Sequence, residues 1–462
     1  SATALNTLTP RNLAALLYLV QTRWLLTDPS LVFFFLQGIV DGLLHNHFIA
    51  IATRSQKTCG GPAMMTANFS IQPIGRFAGA SQPVKRPKEF ACFSYDKNHE
   101  LRLDDSSLKW YYTPQMGVDL SKGFNTFQKQ DDSKDEHLES LLKAIMAHEQ
   151  ETGQKIDANI ITWRGMMTKI MGTLFEQFDG FEMNATLYQD CIFIEENHEY
   201  KMNSRRNEGQ RQRRGGPPQA LMQFWGYKFE TLATIPATWH ETPRDYIENR
   251  DNQVVNNKEQ YCSVVRTGIG KTTLCLGGEV DASKSPLLSN PFSRHPHLTT
   301  AATVWDSKPE EKGAPINWVE LKTTAEIRNQ GDMEAFHRKL MKYWIQSFLL
   351  GVPKIIVGFR TRDGVLVNIN EIETHRIPET VNARPNAKWN ADMCVNFAAD
   401  FLKWLTRTIN DEGVWRISRR PQSPIIEVYK VEGTGHGDIL SDEFKNWRIK
   451  LALGLSRETG AD

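Results

Sequence analysis

Nowhere in the 462 residues do two cysteines stand in a C-x-x-C pair. The six present (Cys59, Cys92, Cys191, Cys262, Cys275 and Cys394) are scattered. That argues against a zinc site and for a reducing compartment; each reads as a small buried apolar residue. An excess of charge of either sign is missing too, with 55 Lys plus Arg against 54 Asp plus Glu and a net charge of +1. A nucleic-acid binder working by bulk electrostatics is thereby excluded, and a local basic groove is not. Long clean apolar runs are absent as well. Residues 31–52 come nearest but hold Asp41, His45 and His47, and an Asp at the centre of a membrane helix costs about 2.5–3.5 kcal/mol. The cleaner stretch 31–40 is too short to span a bilayer. No basic start with a cleavage site marks a secretory signal, and no internal repeat is visible.

The apolar and charged fractions of the chain, 40% and 24%, are those of a globular protein. Residues 1–63 differ from the rest and read as an extra N-terminal segment outside the fold, with Met64-Met65 as a plausible start. No linker composition appears after residue 80, so 64–462 reads as one large mixed α/β domain. A short strand is expected over 90–95, after Lys85-Arg86-Pro87. A helix is expected over 133–148, where Leu138, Leu141, Leu142 and Ile145 recur at helical spacing. A strand at 160–163 delivers Arg164, and a helical pattern follows to about Phe178. A hairpin turns at Gln189-Asp190. The arginine-rich stretch 203–218 reads as a flexible basic loop, either a solvated insertion or a phosphate contact or nuclear import signal. A helix spans 221–232. Strands at 261–266 and 272–281 flank a glycine turn. Asp332 is expected to cap a helix with Phe336, Leu340, Trp344 and Phe348 as its apolar stripe. A hairpin through Asp363-Gly364, a helix over 389–409, strands at 414–418 and 425–431 and a last helix near 443–455 complete the chain.

The chemistry concentrates in two short acidic strands, Gly278-Glu279-Val280-Asp281 and Asn317-Trp318-Val319-Glu320-Leu321-Lys322. Residues two apart on a strand share a face, so Glu279 projects with Asp281 and Glu320 with Lys322. Taken singly, each pattern also fits a surface strand with solvated charges. Together, three carboxylates and a lysine on buried faces would be costly without a partner, and a hard divalent cation, Mg or Mn, suits their oxygens. Glu230 from the 221–232 helix joins the set. Two cations ~3.5–4 Å apart would need bridging carboxylates from several elements, and would activate a water and stabilise the leaving oxygen of a phosphoester. Lys322 can hold that water or neutralise phosphate charge. Arg164 can clamp a phosphate bidentately, or stand as a surface charge at a helix start. Gln346 can bond a phosphate or the water, or be an exposed helix residue. The sequence 267–273, Thr-Gly-Ile-Gly-Lys-Thr-Thr, is no P-loop: position 265 is Val where a glycine is needed, and a strand rather than a helix follows Lys271.

Asp281 with Glu320-Leu321-Lys322 resembles the core of the PD-(D/E)XK nuclease superfamily. Five motifs in order, Thr162-Trp163-Arg164-Gly165, Trp225 to Glu230, Gly278 to Asp281, Val319 to Thr323 and Tyr343 to Phe348, more closely resemble the DXO/Rai-type decapping nucleases. Arg250 to Gln253 and Gln260-Tyr261-Cys262 fit the fungal Rai-type members. The resemblance spans roughly residues 85 to 410 and leaves 1–63 outside. It implies an RNA 5′-end quality-control enzyme that releases pyrophosphate from 5′-triphosphate RNA and removes incompletely methylated caps, some members also removing NAD caps. Carried over by motif, Glu230, Asp281, Glu320 and the Leu321 carbonyl resemble metal ligands, and Glu279 resembles a residue touching both substrate and metal-bound water. Trp163, Arg164, Gly165, Cys262, Lys322 and Gln346 resemble substrate contacts, joined by Arg86 and Glu136. Fungal members bind the Rat-type nuclear 5′→3′ exoribonuclease, which implies a nuclear location. The alternative is a regulatory scaffold of that exoribonuclease, against which the intact acidic set argues.

Overall fold

The computed structural model of the chain describes residues 66–210, 216–283, 317–384 and 387–455. The expectation that 1–63 lies outside the fold concerns residues outside that set. Sixteen strands are described: β1 (Ala67–Ser70), β2 (Val84–Tyr95), β3 (Leu101–Arg102), β4 (Trp110–Tyr111), β5 (Ile160–Trp163), β6 (Phe181–Tyr188), β7 (Cys191–Glu196), β8 (Thr234–Ile235), β9 (Gln260–Ile269), β10 (Thr272–Glu279), β11 (Ala282–Ser283), β12 (Trp318–Ala325), β13 (Lys354–Arg360), β14 (Leu366–Glu373), β15 (Val414–Arg419) and β16 (Ile425–Glu432). The helices are α1 (Glu139–Thr152), α2 (Arg164–Gly172), α3 (His198–Gln210), α4 (Gln219–Leu232), α5 (Arg244–Glu248), α6 (Gln330–Leu350), α7 (Ile377–Asn382), α8 (Ala391–Thr408) and α9 (Asp442–Ala452).

The strands form two mixed sheets, as expected for a nuclease of this core. One runs β1-β16-β15-β6-β7-β5-β10-β9-β2-β3 and the other β14-β13-β12-β11-β4-β8. β5 is parallel to both β7 and β10, and β12 is parallel to β13, while most other pairs are antiparallel. The main core packs β5, β9, β10 and β13 against the apolar faces of α2, α6 and α8. A second core lies under α1 and α9, and a third joins α4 to β12 and β13.

Most expected elements are where the periodicity places them. Gln189 and Asp190 both take positive φ, as a two-residue hairpin turn between β6 and β7 requires. Gly270 makes the turn from β9 to β10, and the strand after Lys271 disposes of the P-loop. The differences have local causes. β2 has twelve residues and takes in Lys85-Arg86-Pro87, because the ladder to β9 slips between Lys85 and Lys88 and leaves the donorless proline in the bulge. The 133–148 helix starts only at Glu139, since His137 sits at φ 45°. The helix after Arg164 stops at Gly172, and the turn beyond it is held by the Arg419 guanidinium on the carbonyls of Glu176 and Asp179. Arg205 and Arg206 lie in α3 rather than in a loop, and 211–215 are outside the described residues. The cap of α6 is Asn329, whose Oδ1 accepts the Asp332 N–H at 3.0 Å; Asp332 in turn accepts the Arg328 N–H.

Candidate active site

The acidic set stands where the two sheets exchange a strand. Glu279 is the last residue of β10 in the large sheet, and after two intervening residues the chain enters β11 in the small one. Alternation on one strand was the expected reason for Glu279 and Asp281 to project together. In fact the strand ends at Glu279, and Asp281 is fixed from the other sheet: its Oδ2 accepts the backbone N–H of Leu321. Glu320 and Lys322 share a face of β12, which lies between β11 and β13. Glu230 arrives from the last turn of α4, whose Phe224, Phe229 and Leu232 pack in the core shared with Leu321 and Ile356.

Other motif residues build the frame. Trp225 packs beneath the Arg360 guanidinium, 4.1 Å from its ring centroid, and Lys228 is buried with its ammonium 2.6 Å from the Asp251 carbonyl. These two orient α4 and leave Glu230 to face the site. Arg164 heads α2, directly after β5, which runs parallel to β10 with Trp163 opposite Gly277. Gly278 admits that neighbour: a Cβ there would lie 3.0 Å from Arg164 Cβ and 2.8 Å from Leu350.

Glu320 is the most enclosed of the carboxylates, 1% exposed. Its Oε1 accepts from Lys322 Nζ at 2.6 Å and has Arg164 Nη1 3.6 Å away. Its Oε2 is buried with no hydrogen-bond partner. Burial pushes all four carboxyls upward. Asp281 rises to about 7, burial and the neighbouring Glu320 being the main causes. Burial and the charges of Asp281 and Glu279 hold Glu230 well above the usual carboxylate range, and Glu279 is raised despite Arg164. Glu320 goes the other way: against its burial, Lys322 and Arg164 hold it low. Lys322 is raised in turn, because Glu320 and Asp281 outweigh its burial.

Four carboxyls thus gather about the site, with Lys322 and Arg164 beside Glu320. Among the described residues no three His, Cys, Asp or Glu side chains already converge as a metal cage, as mutual repulsion of bare carboxylates demands. The donor set nevertheless fits a hard divalent cation: all oxygens, one of them buried and unpartnered, with a surplus of negative charge. Glu230, Glu279, Asp281 and Glu320 would hold it.

The expected substrate contacts fall into groups. Cys262 on β9 lies directly across from Glu279, and burial, then Glu279, push its thiol up, so it is no thiolate nucleophile. Gly165 and Gln346 line a cavity of about 740 Å³ whose walls also carry Lys169, Lys201, Arg205 and Lys342. Trp163 donates its indole N–H to the His137 carbonyl at 3.2 Å. Glu136 is half exposed and accepts from His99 and Gln130, and Arg86 is exposed on β2; neither lines this cavity or the smaller one beside Glu230. Sequence reasoning missed Lys109 and Tyr227, which share that smaller cavity with Glu230, Glu279 and Asp281. Tyr227, three residues before Glu230 on one helix, was accessible to it; Lys109, distant in sequence, was not.

Residues 85–445 match the family described as RAI1 like PD-(D/E)XK nuclease. A protein named Decapping nuclease RAI1 from Gibberella zeae is 74% identical over 397 residues, covering 86% of this chain and 100% of that protein. Its namesake from Aspergillus fumigatus is 52% identical, covering 83% and 98%. Among solved structures, Candida albicans Rai1 in complex with pU5-Mn2+ superposes with a TM-score of 0.72 at 32% identity, covering 84% of this chain and 100% of that one. Scheffersomyces stipitis Rai1 in complex with (3'-NADP)+ and calcium ion gives 0.71 at 29%, covering 83% and 100%.

Proposed function

Since the chain belongs to the RAI1-like PD-(D/E)XK nuclease family and is a hydrolytic nuclease, we propose that it clears faulty RNA 5′ ends: it releases pyrophosphate from 5′-triphosphate RNA and removes incompletely methylated caps by phosphodiester hydrolysis. NAD caps belong to the same substrate set, a reading supported by the nucleotide in the S. stipitis relative. The manganese and calcium of the two related structures support divalent-cation use here, with Mg or Mn and two ions as our assignment. The observation that carries the reading is the buried, unpartnered Glu320 Oε2 beside Lys322, within a cluster of four carboxyls.

Bound cations would supply a nucleophilic water and stabilise the leaving oxygen. The chain's own residues do the rest. Glu230, Glu279, Asp281 and Glu320 provide the ligand oxygens, with the Leu321 carbonyl beside them. Lys322 places positive charge where the phosphate gains negative charge. Arg164, its Nη1 buried without a hydrogen bond, has a donor left for a phosphate oxygen. Gln346 and Gly165 border the wide cavity through which the RNA body leaves. Trp163 and Cys262 shape the wall, and Arg86 and Glu136 act at its margin.

The test is product identification with differently capped RNAs, with Mg2+ or Mn2+ and with EDTA. Glu320→Ala should lose 5′-product release, and because it leaves Lys322 and Arg164 without their carboxylate its melting temperature should fall, so release is measured at a temperature where the variant stays folded. Retained activity would remove Glu320 from the site. We also propose that the chain binds the Rat-type nuclear exoribonuclease and works in the nucleus, which rests on the fungal motif series. Partner surfaces are broad and exterior, near ~800 Å² per side, so Glu320→Ala should bind that exoribonuclease as tightly as the unmodified chain. Loss of both together would favour the scaffold alternative.

A further inference from the structure

Lys109 has no part in the chemistry above, yet it looks into the carboxylates from a cavity that neither Lys322 nor Arg164 lines. This cavity is small, about 40 Å³, and Lys109 shares it with Tyr227, Glu230, Glu259, Glu279 and Asp281. Its volume admits a few waters or a partly hydrated ion and no nucleotide. The position of Lys109 is built in by sheet register. The Ser283 N–H donates to the Lys109 carbonyl at 2.9 Å, and Ser283 pairs with Trp110, so the strand entered just after Asp281 is the one that fixes Lys109. Its ammonium is 2.9 Å from Glu259 Oε2, with the lysine side chain 30% and the glutamate 37% exposed.

We propose that Lys109, tethered by Glu259, is the counter-charge of this face of the site and sets how strongly Glu230, Glu279 and Asp281 take up a divalent cation. The inference rests on the reading that these carboxylates hold the cation, and it makes Lys109 a positioning residue. Without a divalent ion, the ammonium offsets the crowded carboxyls. When an ion enters, the ammonium is a like charge in the same cavity and weakens the binding. Glu259 divides that effect: it keeps the ammonium partly neutralised and supplies the place to which Lys109 withdraws. Both ends of the pair touch solvent, so a merely structural role would be small and would leave cation affinity unchanged.

The two halves of the pair must therefore act in opposite directions. Calorimetric titration of the full chain with Mn2+ alone reads this without turnover. Lys109→Met should tighten Mn2+ binding by roughly three- to tenfold. Glu259→Gln, which leaves the ammonium uncompensated, should weaken it by a similar factor, and Lys109→Arg should stay near the unmodified value. Melting curves taken alongside should move little, and Lys109→Gln carries the test if the Met variant fails to fold. If the unmodified chain takes up Mn2+ while Lys109→Met stays within twofold of it, or if Glu259→Gln shifts in the same direction as Lys109→Met, the proposal is overturned and the nuclease reading stands. If the unmodified chain takes up no Mn2+, both fall.

Discussion

At the scale of single residues, the site separates its carboxyls by what stands next to each. Glu320 has Lys322 and Arg164 beside it and is held ionised; burial and then neighbouring carboxyls push Glu230 and Asp281 up. A cluster built this way has little to hold it together until positive charge arrives, which suits a site that must release its ions and products. Lys322 is the side chain through which ligand and charge roles can be distinguished. Lys322→Met removes the charge beside the phosphate and keeps every oxygen ligand, so turnover should fall ~10²–10³-fold with Mn2+ uptake retained. Single-turnover kinetics beside a binding titration would show it; loss of uptake with turnover would instead make Lys322 a prop for Glu320.

At the scale of elements, two devices hold the substrate side in place. The first is the segment between Gln128 and Leu138, which is tied down along its length. Gln130 N–H donates to Asn257 Oδ1, His198 bonds the Ser133 carbonyl, and Arg205 pairs with Asp132. Near its end His137 sits 3.0 Å from Glu195, which is 4% exposed, while its own carbonyl receives Trp163. The hydrogen bond to Glu195 raises the imidazole to about 9. A raised histidine binds its proton more tightly folded than unfolded, so the stabilisation is fully present below the ordinary value of 6.5 and fades as pH climbs through about 9. Denaturation profiles should show this loss between pH 6.5 and 9, and His137→Gln should flatten it; equal slopes in the two proteins would mean the pair is not coupled to folding.

The second device is the close pass of β10 by the head of α2 at Gly278. A valine there has no room beside Arg164 and Leu350. Gly278→Val should cost about 1–3 kcal/mol of stability, as overpacking does. It should also lower 5′-product release by displacing Arg164, measured at a temperature where the variant remains folded.

At the scale of the whole molecule, the sheet that carries Glu279 is covered on one face by α1 and α9. Arg448 and Glu149 form a buried pair, 1% and 0% exposed in their side chains, at 2.8 Å, and Glu149 also accepts the Trp447 indole and the Ile156 N–H. Removing one partner of such a pair leaves a buried charge alone, so Arg448→Met should destabilise by about 3–5 kcal/mol. Because neither Arg448 nor Glu149 lines either cavity of the site, turnover at low temperature should be kept; a site-specific loss would couple α9 to the chemistry. Among the described residues no helix is long and apolar enough to cross a membrane.

The sequence alone determined the elements and the identity of the chemical groups. Period-two and helical patterns depend on neighbours in the chain, and they located β5, β9, β10, β12, α4 and α6, with the acidic motifs on them. Expected boundaries failed where a distant contact decides them: Arg419 ends the turn after α2, the β9 ladder draws Arg86 into β2, and Asn329 rather than Asp332 caps α6. Only the tertiary structure decided that Asp281 lies beyond the end of β10, held by the Leu321 N–H of the other sheet, and that Cys262 faces Glu279. It alone put Lys109 in the carboxylate cavity, 121 positions ahead of Glu230 in the chain. Such approaches are set by sheet register and packing over long separations, and nothing in the local spacing of residues encodes them.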